Sequence, residues 1–335
     1  MKPAAPLPAR VFTLLAGGGF HSGADLARAL RVSRSAVWKA VGALRELGLP
    51  VHAVRGRGYR LAVAVAPLEP GLLLAALPQP VRARVHDLQV RWSIDSTNAE
   101  LLRRTDLPAG QADVLLAEYQ SAGRGRRGRS WLAPPGGAIC LSVGWCFTQL
   151  PRDVGSLGLA VGVCALRALL PHLPTGAGAL QLKWPNDLVA GGRKLGGILI
   201  DLRAESGGPG HAVIGIGINA ALGPQLRRQV AATGTEPTDL AALGVEPRTR
   251  ALVAASLIES VIAGLVQFER AGLAGFIEEW RRADALRGRA VRVLVAEHPA
   301  RGVACGIDAD GALLVQTAKG LKRFISGEVS VRAEP

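Results

Sequence analysis

The stretch Gly123-Arg124-Gly125-Arg126-Arg127-Gly128-Arg129-Ser130-Trp131 sets the tightest limit on what this chain can fold into. Four guanidiniums on a glycine-rich backbone suit a loop that folds around an anion, because arginine pairs bidentately with phosphate or carboxylate. Gly123, Gly125 and Gly128 meet the bare G-x-G-x-x-G spacing, yet a dinucleotide-binding turn has to run from a strand straight into a helix. Here the chain continues as Leu132-Ala133-Pro134-Pro135-Gly136-Gly137, which cannot open one. No Gly-Lys-Ser/Thr follows, so a Walker loop is excluded as well. What remains is an anion-binding loop or, taken in isolation, a solvated basic turn.

With 335 residues, 49% hydrophobic and 20% charged, the chain is long and apolar enough for two or three packed domains. No uninterrupted apolar run reaches the ~20 residues of a membrane span, and Met1-Lys2-Pro3-Ala4-Ala5-Pro6 lacks a signal-peptide core, so a cytoplasmic protein with no membrane partner is expected. Cys140, Cys146, Cys164 and Cys305 make no C-x-x-C pair and read as reduced core residues. The six histidines show no metal-ligand spacing, so no metal held by protein ligands is expected. The net charge of +14 points to a polyanionic partner, and its distribution is uneven. Residues 1–64 hold ten Lys/Arg against only Asp25 and Glu46.

That basic first fifth reads as a winged helix-turn-helix. Val11–Ala16 forms a first helix stopped by Gly17-Gly18-Gly19. Ser22 to Asp25 is a capping box opening a second, and Ser33 caps a third whose apolar positions Ala36, Val37, Val41 and Leu44 recur at helical spacing. The third presents Ser33, Arg34, Ser35, Trp38 and Lys39 near its start, where a recognition helix meets bases and phosphates. Two short strands then flank Arg55-Gly56-Arg57 as a basic wing. A helical interaction module with a solvated basic face is the competing reading; the charge asymmetry and the wing favour DNA, through Ser33, Arg34, Ser35, Lys39, Arg55 and Arg57. A domain over residues 1–66 and a Pro-limited linker at Val65–Pro70 follow.

From about residue 72 short apolar strands alternate with Ala/Leu-rich helices, an α+β pattern. Four polar stations punctuate it: Asp95-Ser96-Thr97-Asn98, Glu118-Tyr119-Gln120 entering the Arg/Gly loop, Lys183-Trp184-Pro185-Asn186-Asp187, and Arg193-Lys194-Leu195-Gly196-Gly197. Together with the loop, their order and spacing resemble bacterial biotin protein ligases. Residues 11–61 resemble the winged helix of the bifunctional class, which also represses biotin-synthesis genes. Strand-like Arg289–Val295 and Gly327–Arg332 resemble that family's small SH3-like β-barrel. The resemblance spans nearly the whole chain, most weakly over residues 221–250, where the adenine-covering segment has no matching motif. It implies a mixed α/β, class II synthetase-like catalytic domain over 72–282 and a C-terminal domain over 285–335.

Position by position, the resemblance places Ser96, Thr97 and Asn98 on the biotin-holding segment. Gln120 and the backbone of Arg124, Gly125 and Arg126 are further biotin contacts, and Lys194 lies beside the biotin carboxylate and the α-phosphate. Trp131 is a candidate to stack over the adenylate; Asn186, Gly197 and Asn219 complete the ligand set. Biotin and ATP are both anions, so Lys194, Lys183 and Arg126 would offset their repulsion and stabilise the transition state, with Mg²⁺ on the leaving pyrophosphate. Biotinyl-5′-AMP then passes biotin to a lysine of the biotin carboxyl carrier protein of acetyl-CoA carboxylase, a lysine that Asp187 would orient or deprotonate. The loop would close over the water-labile anhydride.

The strand His211–Asn219 reads by itself as a buried core strand; the resemblance implies instead an edge that pairs across a homodimer on operator DNA, where Gly215 and Gly217 would let a second copy approach, with the adenylate as corepressor. A biotin-sensing regulator without catalysis conflicts with Lys183, Lys194 and the intact loop. A lipoate or other acyl ligase of the same fold would not be expected to carry that loop. Ser130, often basic in the family, and Gly196, often alanine, are mild departures.

Overall fold

Proline placement sets where the first helix begins. In the computed structural model, which describes residues 5–175, 179–204, 210–232, 234, 236–294, 299–325 and 330–333, helix α1 spans Leu7–Leu15 and starts four residues before its apolar pattern predicts. Pro8 sits in the first turn, where its missing N–H would have had no helical partner. Ser22 and Ser33 cap α2 (Gly23–Leu30) and α3 (Arg34–Glu46), accepting the amides of Asp25 and Ala36 at 3.0 and 3.1 Å. Strands β1 (Val51–Val54) and β2 (Gly58–Leu61) pair antiparallel as the wing, and Val11, Phe12, Leu26, Val37, Leu44 and Leu61 close a core of their own.

The linker leads into α4 (Pro70–Ala76) and α5 (Gln79–Arg82), then β3 (Val85–Ile94), α6 (Thr97–Leu102), β4 (Ala112–Gln120), β5 (Ala138–Phe147) and α7 (Leu157–Leu169). Next come β6 (Leu180–Lys183), β7 (Asp187–Ala190), β8 (Arg193–Ala204), β9 (Gly210–Asn219), α8 (Pro224–Ala231), α9 (Arg250–Ala271) and α10 (Ile277–Arg282). The described strands make one mixed seven-stranded sheet in the order β3-β4-β5-β9-β8-β7-β6; only β3 and β4 run parallel. Alternation along each strand divides its two faces. Val114, Leu116, Ile139, Leu141, Ile214 and Ile216 pack with the buried residues of α7 and α9. The opposite face takes α6, whose Leu101 packs on Leu115 and Val213.

By length and composition Val154–His172 and Pro247–Gly275 would each suit a bilayer, so the absence of long apolar runs did not exclude such helices. Their buried sides lie in the central core instead, with α7 packed on α9. At the C-terminus β10 (Ala290–Leu294), β11 (Ala300–Ile307), β12 (Leu313–Thr317), β13 (Gly320–Phe324) and β14 (Ser330–Ala333) form a small antiparallel sheet in the order β13-β12-β11-β10-β14. Val295 and Gly327–Val329, counted in the expected strands, lie outside the described residues.

Two expectations are corrected. Strand β9 is no edge: β5 pairs along one side of it and β8 along the other, so its backbone has no free hydrogen-bonding row to offer a second copy. The cysteines are free, but only Cys140 and Cys164 are buried, and Cys305 is exposed on β11.

The linker is held to the central sheet by buried charge. Glu118 at the end of β4 and Arg250 at the start of α9 pair at 2.6 Å, both at most 5% exposed. Glu118 Oε1 also accepts the Leu68 amide at 2.8 Å, while Arg250 donates to the carbonyls of Ala66 and Ala138, each at 3.0 Å. Phe12 of α1 tilts against Trp92 of β3 with ring centroids 5.2 Å apart.

Candidate active site

Sheet register explains where a cavity forms. On the α6 face, Cys140 and Ser142 of β5 stand opposite Gly217 and Gly215 of β9, so four small residues in register leave a hollow. Side chains from elsewhere fill its walls. A Cβ at Gly215 would fall on the Asn98 amide, and one at Gly217 would lie 2.6 Å from the Trp131 ring. The cavity measures about 200 Å³, and Ser96, Thr97, Asn98, Gln120, Arg124, Gly125, Arg126, Trp131, Lys183, Asn186, Asp187, Lys194, Gly197 and Asn219 all line it. The four polar stations, separated by up to a hundred residues in sequence, therefore meet at one place.

One part of the lining is polar and uncharged. Ser96 caps α6 through Ala99 at 3.4 Å, which points the first turn of that helix into the cavity. Gln120 Oε1 accepts both the Thr97 amide at 2.8 Å and its hydroxyl at 3.1 Å. Ser142 Oγ, fully buried, lies 2.7 Å from Thr97 Oγ1 and 2.6 Å from Asn98 Oδ1. Asn98 Nδ2 donates to Asp201 Oδ2 at 3.0 Å and to the Leu199 carbonyl at 3.3 Å, so that amide is engaged by protein at both ends. Asp201 in turn stands 3.8 Å from Arg124 of the Arg/Gly loop.

Cationic groups form another part. Lys194 on β8 reaches Asp187 on β7, 2.5 Å from Nζ to Oδ1. Arg126 donates to Asn186 Oδ1 at 3.3 Å, and Asn186 Nδ2 donates to the Ile198 carbonyl at 2.7 Å. Burial, with Arg127 nearby, holds the Arg126 guanidinium below its usual range. Asn219 Nδ2 donates to the Thr238 carbonyl at 2.9 Å and fixes the segment beside Lys194. Cys140 shares the cavity, but burial pushes its thiol up to about 12, which removes it as a nucleophile at neutral pH.

The loop itself is a closed hairpin. Gly125 N–H donates to the Arg129 carbonyl at 2.7 Å, Trp131 N–H donates to that of Gly123 at 2.8 Å, and Arg127 takes a left-handed φ of 58° at the tip. A Cβ at Gly123 would lie 2.5 Å from the Trp131 carbonyl, so this glycine serves close backbone approach. A dinucleotide fingerprint does not describe it, since β5 and not an α-helix follows; Arg124, Arg127 and Arg129 are exposed, while the loop also lines the cavity.

In the N-terminal module Arg34, Ser35, Lys39, Arg55 and Arg57 are exposed, and Trp38 keeps 66% of its surface accessible. The Ser33 hydroxyl is occupied by its own helix, accepting from Ala36 and lying 2.9 Å from Ser35 Oγ. Sequence reasoning missed Ser142, Asp201 and the Glu118–Arg250 pair. The alternation Gly215-x-Gly217 was the one available signal for the cavity floor, and it was assigned to a subunit contact.

Comparison with known proteins agrees with this layout. Residues 90–219 match the biotin/lipoate A/B protein ligase family, 10–60 an HTH domain, and 287–332 the biotin protein ligase C-terminal domain. The chain is 37% identical to the Escherichia coli bifunctional ligase/repressor BirA over 328 residues, 98% of either chain. It belongs to the bifunctional biotin protein ligase/repressor family. A biotin–[acetyl-CoA-carboxylase] ligase of Mycobacterium tuberculosis is 36% identical over 232 residues, 68% of this chain and 82% of that one. The biotin protein ligase of Aquifex aeolicus, solved with biotin and ATP, superposes with a TM-score of 0.60 at 25% identity, covering 74% of this chain and 100% of that chain. The family's three parts are all present: HTH domain, ligase domain and small antiparallel C-terminal sheet. The ligase/repressor is thus an α+β enzyme with a DNA-binding type of module at its N-terminus.

Proposed function

We propose that this ligase/repressor activates biotin with ATP, transfers it to one lysine of a biotin carboxyl carrier protein, and represses transcription when the adenylate is bound. The observation that carries the reading is one cavity joining an uncharged hydrogen-bonding wall to Lys183, Lys194 and Arg126. The wall, Ser96, Thr97, Asn98 and Gln120, with Ser142 buried behind it, suits a neutral ureido ring; the cations suit a carboxylate meeting a triphosphate. A biotin carboxylate oxygen attacks the α-phosphorus, the bond to pyrophosphate breaks, and a mixed anhydride with AMP forms. The ε-amine of the acceptor lysine then attacks the anhydride carbonyl, an amide forms, and AMP leaves.

Asp187 and Lys194 act in sequence here. While they are paired, the carboxylate is unavailable; once Lys194 turns to the bound anions, Asp187 is released to take the acceptor lysine's proton. Mg²⁺ would fit as an ion held mainly by phosphate oxygens and water, with Asn186 Oδ1 and the Asp187 carboxylate as the protein oxygens beside the cations. Among the described residues no group of three His, Cys, Asp or Glu could cage a metal alone. Bound there, it would neutralise charge on the departing pyrophosphate.

Repression follows from the winged module. A pseudo-palindromic operator calls for two such modules and hence a homodimer. Because β9 is paired on both sides, the second copy has to dock on another surface. The adenylate would favour that dimer by linkage, and the proposed compartment is the cytoplasm.

The test is incubation with biotin, Mg-ATP and a biotin-acceptor domain, followed by mass spectrometry. One biotinyl mass on one acceptor lysine is expected; no transfer would leave only a sensor. Operator binding should tighten with biotin plus ATP, and equal binding without them would remove the corepressor role.

A further inference from the structure

The wing is armed by a residue outside both its strands. Arg57 at the turn and Arg60 on β2 lie over the same ring, with guanidinium carbons 4.1 and 4.9 Å from the centroid of Phe20. The backbone forces this placement. His21 pairs with Tyr59 through two hydrogen bonds of 2.9 and 2.8 Å, so the residue before His21 is carried beneath the wing. Gly58, at φ 95°, leaves no side chain where the His21 carbonyl comes closest. Phe20 is half-buried and takes no part in the buried core of the module. Both arginines lie against its ring.

Two cations gathered on one ring repel each other, and the negative face of the π-system offsets that repulsion. Arg57 and Arg60 are exposed, and no ion pair with a carboxylate engages either among the described residues. A guanidinium stacked by its face keeps its N–H edge for other acceptors. Two mobile side chains are thereby ordered before any partner arrives, which removes part of the entropy cost of binding.

We propose that Phe20 is a positioning residue for DNA: it holds Arg57 and Arg60 as a preformed pair whose N–H edges meet backbone phosphates of a duplex. This rests on the DNA-binding reading of the winged module, and adds Arg60 and Phe20 to the residues assigned to it.

The experiment uses the full chain with biotin and Mg-ATP, a fluorescein-labelled mixed-sequence DNA duplex, and affinity measured against KCl concentration. R57Q and R60Q should each flatten the slope of log K against log salt by about 0.9, one phosphate contact apiece. F20L keeps both charges, so its slope should stay near wild type while binding weakens roughly three- to thirtyfold at every salt concentration. F20Y keeps the aromatic face and should restore binding. In the R57Q/R60Q background F20L should cost nothing more; a loss as large as in wild type would mark a merely structural role and overturn the proposal. So would F20L binding as tightly as wild type. If wild type itself shows no salt-dependent binding, the DNA reading falls, an outcome distinct from either. Biotin transfer to an acceptor domain should be the same in wild type, F20L and F20Y.

Discussion

Removing one partner of the buried Glu118–Arg250 pair should be among the costliest single changes in the central domain, and removing the second should partly undo the damage. In R250M the apolar stem of the side chain is kept, but the guanidinium no longer satisfies the carbonyls of Ala66 and Ala138 or either oxygen of Glu118. Among the described residues Glu118 is left with the Leu68 amide as its one remaining hydrogen-bond donor. Breaking a buried ion pair in this way costs about 3–5 kcal/mol, most of it the desolvation of an uncompensated charge. For a folded body of 150–250 residues, about 1 kcal/mol moves Tm by roughly 2–4 °C, so a fall on the order of 10 °C is expected by differential scanning calorimetry.

Adding E118Q to R250M keeps an acceptor for the Leu68 amide and removes the charge, and should return about 1–3 kcal/mol at pH 7. An R250M variant within about 1 kcal/mol of wild type, or an E118Q/R250M double variant less stable than R250M, would refute the reasoning.

Three further outcomes are expected. Gly215→Ala drives a Cβ into the Asn98 amide, and overpacking of about 1–3 kcal/mol should raise KM for biotin roughly ten- to hundredfold with a smaller effect on kcat; an unchanged KM in steady-state transfer assays would contradict the floor assignment. Arg126→Gly should release biotinyl-AMP into solution and label several lysines of a bystander protein, read by chromatography and mass spectrometry; adenylate retained as in wild type would remove the covering role of the loop. Burial holds His211 and His172 below the ordinary imidazole range, so the unfolded chain takes up protons that the native state refuses once pH drops below about 6.5. Tm should fall as pH is lowered from 7 toward 5.5, and a double H172Q/H211Q variant should flatten that slope; an unaltered slope would assign it to other groups.

What the sequence determined by itself were the features carried by neighbours in the chain. Ser22 and Ser33 cap helices because a cap needs only a hydroxyl and an amide three residues on. The Arg/Gly run could be denied a Rossmann turn because Pro134 and Pro135 follow it, and a P-loop because no Gly-Lys-Ser/Thr does. The polar stations were legible because their residue types, order and spacing belong together, and the fold brings every one of them to a single cavity.

Tertiary structure decided everything that depends on which strands lie side by side. Gly215 and Gly217 read as an approach surface until sheet order placed β9 between β5 and β8, turning them into room for Asn98 and Trp131. Ser142 had no motif; its place beside Thr97 and Asn98 comes from β5 passing beneath α6. Asp187 read as a ready base, yet pairing of β7 with β8 sets Lys194 against it. Glu118 and Arg250, 132 residues apart, meet where a linker crosses the end of a sheet. Phe20 reaches the wing arginines only because one bridge at His21 folds it beneath them. Local hydrogen bonds and steric bans act over a few residues, whereas burial and charge pairing act through space, and only the folded chain says which residues share that space.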